Sequence, residues 1–589
     1  MVNFTIDGTK LSVPEGTTIL EAAKGAGIHI PHLCYLKGIN EISACKVCMV
    51  EIVGKQKLVA ACSTPVAEGI TVLTNSPRAR AIRKNNVELI LSQHDCRCAT
   101  CVRSGNCALQ TLAGHLGIYE IPFEEQVVDL PWNRDFPLIR DSKKCIKCMR
   151  CVQICDKVQS LGVWDIQNTG SYTTVNTAEN TPIENTNCAL CGQCITHCPV
   201  GALTERNDLP RIYDVLADPS KVTVVQIAPA VRTAWLERVD VPEGIATEGR
   251  LVAALKRMGF DYVIDTVFAA DMTIMEEANE LLERLPDIRE QKLPMFTSCC
   301  PGWVNFVKTE YPELLGRLST TKSPQQVYGA LIKTYFAEKI GCEPENVVSI
   351  SVMPCVSKKR EATREGMEND IDFVLTTREL VRLLRSERIN PMTLQEQPFD
   401  SPIGQGTGAG VIFGATGGVM EAALRTAHYK LTGQEAEPDA FKLVRADRTS
   451  YPDATLNNGI VDGQPFAGQK KVAEFSMGDA IVRTCTVSGL ANARKLIEDV
   501  LAGREQYDFI EVMACPGGCV AGGGQPIHND EEWGARRSAK LYALDGVRPL
   551  RRSHENPDVV QVYQEFLGAP LSEKAEELLH TDQEKLRYL

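Results

Sequence analysis

The chain has 589 residues, a formal net charge of −12 at pH 7 and 44% hydrophobic residues. That length predicts about four domains with large buried cores. The acidic balance argues against nucleic acid as a partner, and no run of about 18 apolar residues offers a membrane span.

The 23 cysteines sit in short, tight clusters, which is metal-ligand spacing rather than disulfide spacing. Met1–Val13 alternates as a strand and carries neither a basic region nor an apolar signal core, so a reducing cytoplasm is the expected setting. Two strands (4–6 and 10–13), a Pro-Glu-Gly turn and a helix over about 18–25 come first. Cys34, Cys45, Cys48 and Cys62 follow. Their spacing departs from that of plant-type ferredoxins but keeps the central Cys-x₂-Cys. A zinc ribbon is the alternative, although zinc prefers two such knuckles and one is present.

Next, His94, Cys98, Cys101 and Cys107 are spaced to supply four ligands from one loop. An imidazole in place of a thiolate makes such a site less negative and raises its potential. Cys96 reads as a bystander, with a swap for Cys98 left open. The third segment is an internal repeat: Cys145, Cys148, Cys151, Cys155, then Cys188, Cys191, Cys194, Cys198-Pro199. This is the bacterial two-cluster ferredoxin signature, in which the fourth cysteine of each run serves the other cluster. The expected sets are Cys145, Cys148, Cys151 with Cys198, and Cys188, Cys191, Cys194 with Cys155. The Thr- and Asn-rich insert 161–187 is expected to be a surface loop. Clusters in series make an electron wire, and a wire needs a terminus.

From about residue 218 the pattern turns α/β. Strands are predicted at 222–227, 262–265 and 347–352, with helices at 273–285 and 325–339. The third strand runs straight into Met353-Pro-Cys355, the carboxyl end where α/β folds keep their sites. Three stretches carry chemistry here: T-S-C-C-P-G-W at 297–303, M-P-C-V-S-K-K at 353–359, and E-V-M-A-C-P-G-G-C-V-A-G-G-G-Q-P at 511–526. Four thiolates from these remote segments could converge on one cubane, leaving a spare. Gly404-x-Gly406-x-x-Ala409 nearly matches a dinucleotide fingerprint, but no strand precedes it and no βαβ unit surrounds it. This glycine-dense run to Gly418, like Gly522–Gly524, is expected to let backbone pass close to a cluster. Cys342 and Cys485 have no partners by spacing.

These three stretches resemble the active-site domain of the [FeFe]-hydrogenases. The segments before them resemble the [2Fe-2S], His-Cys₃ and two-cluster domains of large hydrogenases and of NADH dehydrogenase subunits. The resemblance implies a multidomain α+β and α/β chain. Its parts would be a β-grasp [2Fe-2S] domain (1–78), a His-Cys₃ domain (79–125), a two-cluster ferredoxin domain (126–209), a catalytic domain (210–530) and a small-subunit-like helical tail (531–589). It implies one [2Fe-2S] cluster, three accessory [4Fe-4S] clusters and an H-cluster. In the H-cluster, Cys300, Cys355, Cys515 and Cys519 would hold the cubane, and Cys519 would bridge to a two-iron unit with CO, cyanide and a dithiolate. Lys358 and the backbone of Ala228, Pro229 and Ala230 would contact the cyanides. Ser323, Pro324, Gln325, Met353 and Met513 would pack around the irons. Lys358 as a solvated charge and the methionines as plain core are the alternatives.

Cys299, Glu280, Ser319 and Glu277, with Arg284 near the entrance, would relay protons. Glu277 and Glu280 are three apart and share a helix face, although a solvated acidic face (Glu276, Glu277, Glu280, Glu283) is the plain reading of the residues alone. The implied reaction is 2H⁺ + 2e⁻ ⇌ H₂, with ferredoxin as an electron partner. The R-S-H-E-N-P and L-L-H-T motifs of the tail favour a catalytic subunit of an NAD(P)-linked, electron-bifurcating complex. Such a complex would need a separate flavoprotein and a small [2Fe-2S] subunit, because this chain offers no flavin or nicotinamide site. A stand-alone enzyme, an H₂ sensor and an electron-transfer subunit of an NADH or formate dehydrogenase are the rivals.

Overall fold

The computed structural model describes all residues except 438, 446–459, 462–463, 466–469, 479, 530–532 and 586–589. The expected boundary at 531 and the last four residues of the tail lie outside the described residues. The chain divides into two units. One is Met1–Lys157, Leu161–Thr186 and His197–Thr204; the other is Val158–Ser160, Asn187–Thr196 and Glu205–Leu589.

In the first unit, strands Val2–Ile6 and Thr9–Val13 form a hairpin across Asp7-Gly8, both at positive φ, the backbone an Asp-Gly hairpin turn requires. Thr71–Leu73 then pairs parallel to the first strand. Helix Ile19–Gly25 is capped by the Thr18 hydroxyl, which accepts from Glu21 N. Its Ile19, Leu20, Ala22 and Ala23 join a core that also holds Cys48 and Cys62. The insert 161–187 is not a plain loop. Trp164–Gln167 pairs antiparallel with Thr174–Thr177, and Trp164, 3% exposed, stacks on Trp132. The Thr/Asn composition hid a hairpin that one buried indole and β-branched partners hold in place.

The second unit has two four-stranded sheets. One is wholly parallel, in the order Tyr262–Asp265, Val222–Ile227, Val347–Met353, Phe373–Thr376. The other, absent from the sequence reading, runs Met295–Phe296, Phe509–Met513, Ala480–Ser488, Lys470–Met477, with only its last pair antiparallel. Four of these strands run directly into functional stretches: Ile227 into Ala228, Phe296 into Thr297, Met353 into Cys355, and Met513 into Cys515. Phe509–Met513 is fully buried, as a central parallel strand must be.

A long helix, Thr266–Gln291, packs beside both sheets and extends well past the expected 273–285. The expected helix 325–339 is Pro324–Leu331, continued by a wider turn at Ile332–Phe336 into Ala337–Ile340. The glycine run 404–418 has a different purpose from the expected one. A Cβ on Gly406 or Gly410 would meet Val267 within 2.5 Å, so these glycines admit the long helix, not a cluster. Only Gly414 among them reaches the cavity described below.

Asp271, buried in the second turn of that helix, fixes two remote segments. It accepts from Thr407 N (2.7 Å) and Oγ1 (2.8 Å), Ser553 Oγ (2.8 Å) and Asn556 Nδ2 (3.1 Å). Ser553 and Asn556 belong to the S-H-E-N motif, which is thereby explained as a clasp for the tail. Asp271→Ala would strand these donors at about 1–3 kcal/mol for each left unsatisfied. A clear fall in melting temperature is expected by anaerobic calorimetry; an unchanged transition would deny the clasp.

Candidate active site

In the first unit, Cys34 lies within hydrogen-bonding reach of Cys45 and Cys62, and Cys48 within reach of Cys62. Contact with Cys34 pulls the Cys62 thiol down, and Ser43 Oγ lies 3.3 Å from its sulfur. His94 places Nδ1 3.0 Å from Lys144 O. A carbonyl only accepts, so Nδ1 carries the proton and Nε2 is left for a metal. Burial holds the imidazole below its usual value. Cys98, Cys101 and Cys107 follow within the same loop, while Cys96 is exposed. Burial raises the Cys151 thiol, and the neighbouring charges of Cys148, Cys145 and Cys198 raise it further. Cys188, Cys191 and Cys194 fall in the second unit and Cys155 in the first.

In the second unit, a cavity opens at the strand ends. Its wall includes Cys299, Cys300, Cys355, Cys515 and Cys519 together with Ala228, Pro229, Ala230, Pro324, Gln325, Met353, Lys358 and Met513. Thr266, Phe413 and Gly414 also line it; Gly414 belongs to the glycine run expected near a cluster, while Thr266 and Phe413 have no sequence signal. Burial raises the thiols of Cys300, Cys515 and Cys519 and pushes Cys355 up to about 12. Such thiols become thiolates only against strongly cationic partners, so the donor set fits iron. No three described ligand-type side chains crowd together enough to hold one bare ion. A cubane does not ask for that, since each thiolate takes a separate iron. Cys300 also caps helix Pro301–Glu310, and its sulfur accepts from Ala514 N at 3.5 Å.

Lys358 and Lys359 are adjacent and diverge. Lys358 Nζ lies on the cavity side, 3.2 Å from Cys299 O and 2.9 Å from Glu361. Lys359 is 2% exposed and pairs with Asp208 and Glu379 beneath the sheet. Lys358 is therefore not a solvated charge. Ser323 is not on the cavity wall: its hydroxyl donates to Glu361 at 2.9 Å.

The acidic face of the long helix is not solvated either. Glu276, Glu277 and Glu280 are 0%, 1% and 5% exposed; Glu283 alone faces water. Ser319 Oγ donates to Glu280 Oε2 at 2.6 Å, and Arg284 pairs with Glu280 at 2.9 Å. Burial, then the Glu280 charge, lifts the Glu277 carboxyl well above the carboxylate range. Glu277 Oε2 has no hydrogen-bond partner. Burial, then the Glu277 charge, likewise raises the Cys299 thiol, which favours its S–H form. The tail closes over this row: Lys322 N donates to Leu579 O at 2.7 Å, Thr581 N to Thr320 O at 2.8 Å, and Gln583 Nε2 to Ser319 O at 2.7 Å. His580 of L-L-H-T lies 3.0 Å from Glu276 and 2.8 Å from Thr320 Oγ1. The sequence reading missed these residues because their partners lie hundreds of positions away.

Comparison with known proteins agrees with this geometry. The family "Iron only hydrogenase large subunit, C-terminal domain" matches residues 221–523. The chain belongs to the [FeFe]-hydrogenases. It is an oxidoreductase acting on H₂ and carries [2Fe-2S], [4Fe-4S] and H-cluster domains. Residues 1–77 match a 2Fe-2S iron-sulfur cluster binding domain, 83–122 an NADH-ubiquinone oxidoreductase-G iron-sulfur binding region, 137–204 an NADH-quinone oxidoreductase subunit 3 ferredoxin-like domain, and 531–583 an iron hydrogenase small subunit. It is 45% identical to the NADP-reducing hydrogenase subunit HndD of Solidesulfovibrio fructosivorans, over 99% of this chain and 98% of that one. Iron hydrogenase 1 of Clostridium pasteurianum is 38% identical over 98% and 99%. The solved apo [FeFe]-hydrogenase HydA1 from Chlamydomonas reinhardtii superposes with a TM-score of 0.52 at 40% identity, covering 64% of this chain and 98% of that one.

One backbone contact of the hydrogenase joins two cysteine-bearing loops. An ideal Cβ on Gly523 would lie 2.4 Å from Cys191 O and from Gly192 Cα, so the loop after Cys519 touches the Cys188–Cys194 loop backbone to backbone. Gly523→Ala must push them apart. Expected are a stability loss of about 1–3 kcal/mol from overpacking and slower viologen-driven turnover with unchanged infrared bands at the active site. Wild-type turnover would show that the contact is only packing.

Proposed function

We propose that Cys300, Cys355, Cys515 and Cys519 hold the cubane of the H-cluster, with Cys519 bridging to its two-iron unit. The convergence of thiols from three remote stretches on one cavity, with Cys299 left over, carries this reading. When bound, the two-iron unit supplies an open iron for making or splitting H₂, and electrons pass through the cubane. Cys299 would hold the proton at that iron as S–H. Glu277, Ser319 and Glu280 would pass it outward to Arg284, which is 29% exposed. A Glu277 carboxyl held high by burial, beside a Glu280 that accepts from Ser319 and pairs with Arg284, suits such a relay. Lys358 and the main chain at 228–230 would contact the anionic ligands of the two irons, and Pro324, Gln325, Met353 and Met513 would shape the space around them.

The electron path would be one [2Fe-2S] cluster on Cys34, Cys45, Cys48 and Cys62, a [4Fe-4S] cluster on His94, Cys98, Cys101 and Cys107, and two more on the repeated ferredoxin runs. Identity along nearly the whole length to a chain named as a subunit of an NADP-reducing hydrogenase supports a cytoplasmic, electron-bifurcating complex. A flavoprotein binding NAD(P) and a small [2Fe-2S] subunit would be its partners, with ferredoxin as the second electron carrier.

Anaerobic protein loaded with the two-iron unit should evolve H₂ from reduced viologen and show infrared bands of iron-bound CO and cyanide. Cys299→Ser should keep the bands and lose roughly 10²–10⁴-fold in rate, the usual contribution of a positioned proton donor. Near-normal rates would exclude its role. For the complex, subunits copurified from the native host should couple NADH and reduced ferredoxin to H₂, and a lone chain active with ferredoxin only would refute membership.

A further inference from the structure

Three side chains at the rim of the cavity end on one carboxylate. Glu361 accepts Lys358 Nζ at 3.0 and 2.9 Å on its two oxygens, Ser323 Oγ at 2.9 Å and Gln325 Nε2 at 3.0 Å. It is 7% exposed and stands on the single helical turn Lys358–Glu361. Gln325 is fixed from its other side, because Ser351 Oγ donates to its carbonyl oxygen at 2.7 Å.

An ammonium has three N–H donors and no acceptor. Two of those on Lys358 meet Glu361 and the third meets Cys299 O at 3.2 Å, so none is idle. Because Glu361 engages it through both oxygens, Lys358 can turn one N–H toward an anion in the cavity and remain paired through the other. A buried ammonium without such a partner would be costly.

We propose that Glu361 is the positioning residue of this rim, aiming Lys358 and Gln325 at the anionic end of the two-iron unit and holding the lysine in place before that unit arrives. The inference rests on the reading that the cavity takes such a unit. Glu361 itself does not face the irons; it acts through Lys358 and Gln325.

The test uses the full chain with its iron–sulfur clusters assembled but without the two-iron unit, to which a synthetic two-iron precursor bearing CO and cyanide is added. Uptake is followed by the growth of the infrared bands, and iron content reports the clusters. Glu361→Gln should retain the clusters, slow uptake by roughly 10–100-fold, the usual cost of losing an outer-shell partner, and shift the cyanide bands. In a Lys358→Met background the same change should add little, because the two act as one unit. Wild-type uptake and bands in Glu361→Gln, or a full additional loss on top of Lys358→Met, would overturn the proposal. If Glu361→Gln does not fold, Lys358→Met/Glu361→Met removes both charges without stranding either. It should then load like Lys358→Met alone, and loading at the wild-type rate would overturn the proposal. A wild-type chain that takes up no precursor would overturn the H-cluster reading as well; a loading wild type beside an unaffected Glu361→Gln would overturn this inference alone.

Discussion

Buried thiols without a cation are unfavourable as thiolates, and this constraint governs the architecture around the cavity. Burial alone raises all five cavity thiols. Backbone N–H groups, such as Ala514 N at Cys300, and one lysine, itself paired with Glu361, offset only part of this. Such a constellation is sensible only if an inorganic core provides the positive charge. The fold must then deliver sulfurs from three remote stretches to one place with little freedom. It does so by ending parallel strands of two separate sheets at the same cavity. Strand ends are stiff where neighbours hold both sides, as Val222–Ile227 and Phe373–Thr376 hold Val347–Met353. Ligand position is thus set by backbone pairing, not by loops.

On the proposed reading, three different sets of groups would serve this cavity. The Cys188–Cys194 loop meets the Cys515–Gly524 loop through glycine backbone, a contact with no side chain between and therefore short. The groups proposed for protons, Glu277, Ser319 and Glu280, lie behind the cavity wall, buried under the tail. Charge recognition would fall to the third set, Lys358 and Gln325. Keeping them apart has a chemical rationale. A proton row needs alternating donors and acceptors shielded from bulk water, whereas electron passage needs only closeness.

Much of the site was legible because cysteine spacing and the S-C-C-P, M-P-C and A-C-P-G-G-C stretches report ligand chemistry directly. Strands at 222–227, 262–265 and 347–352 were legible as continuous apolar runs. The second sheet was not. Met295–Phe296 is too short to show a period, and Lys470–Met477 alternates as an edge strand does. The glycines at 404–418 were misassigned for a related reason: a glycine states that something comes close but not what, and here it is Val267 and Phe268. Glu276–Glu280 looked like a solvated face because local composition cannot reveal that Ser319, Thr320 and His580, far along the chain, cover it. Glu361 carried no signal at all, since a glutamate after K-K-R reads as ordinary helix charge.

The pair Lys358-Lys359 shows how local geometry resolves what composition leaves degenerate. Successive residues on a helix point about 100° apart, so one turn sends the first ammonium to the cavity rim and the second under the sheet. Lys359 is held there by Asp208 (2.6 Å), Glu379 (3.0 Å) and Val374 O (2.7 Å). Glu379 is in turn fixed by a capping box with Thr376. The buried end therefore anchors the turn on which the rim is built. Lys358 and Glu361 can respond to what the cavity holds while their backbone stays where Lys359 pins it. Exchanging the two lysines' surroundings would remove that division: a rim lysine without an anchored neighbour would move the turn each time it changed partners, and Cys355, three residues before Lys358, would move with it.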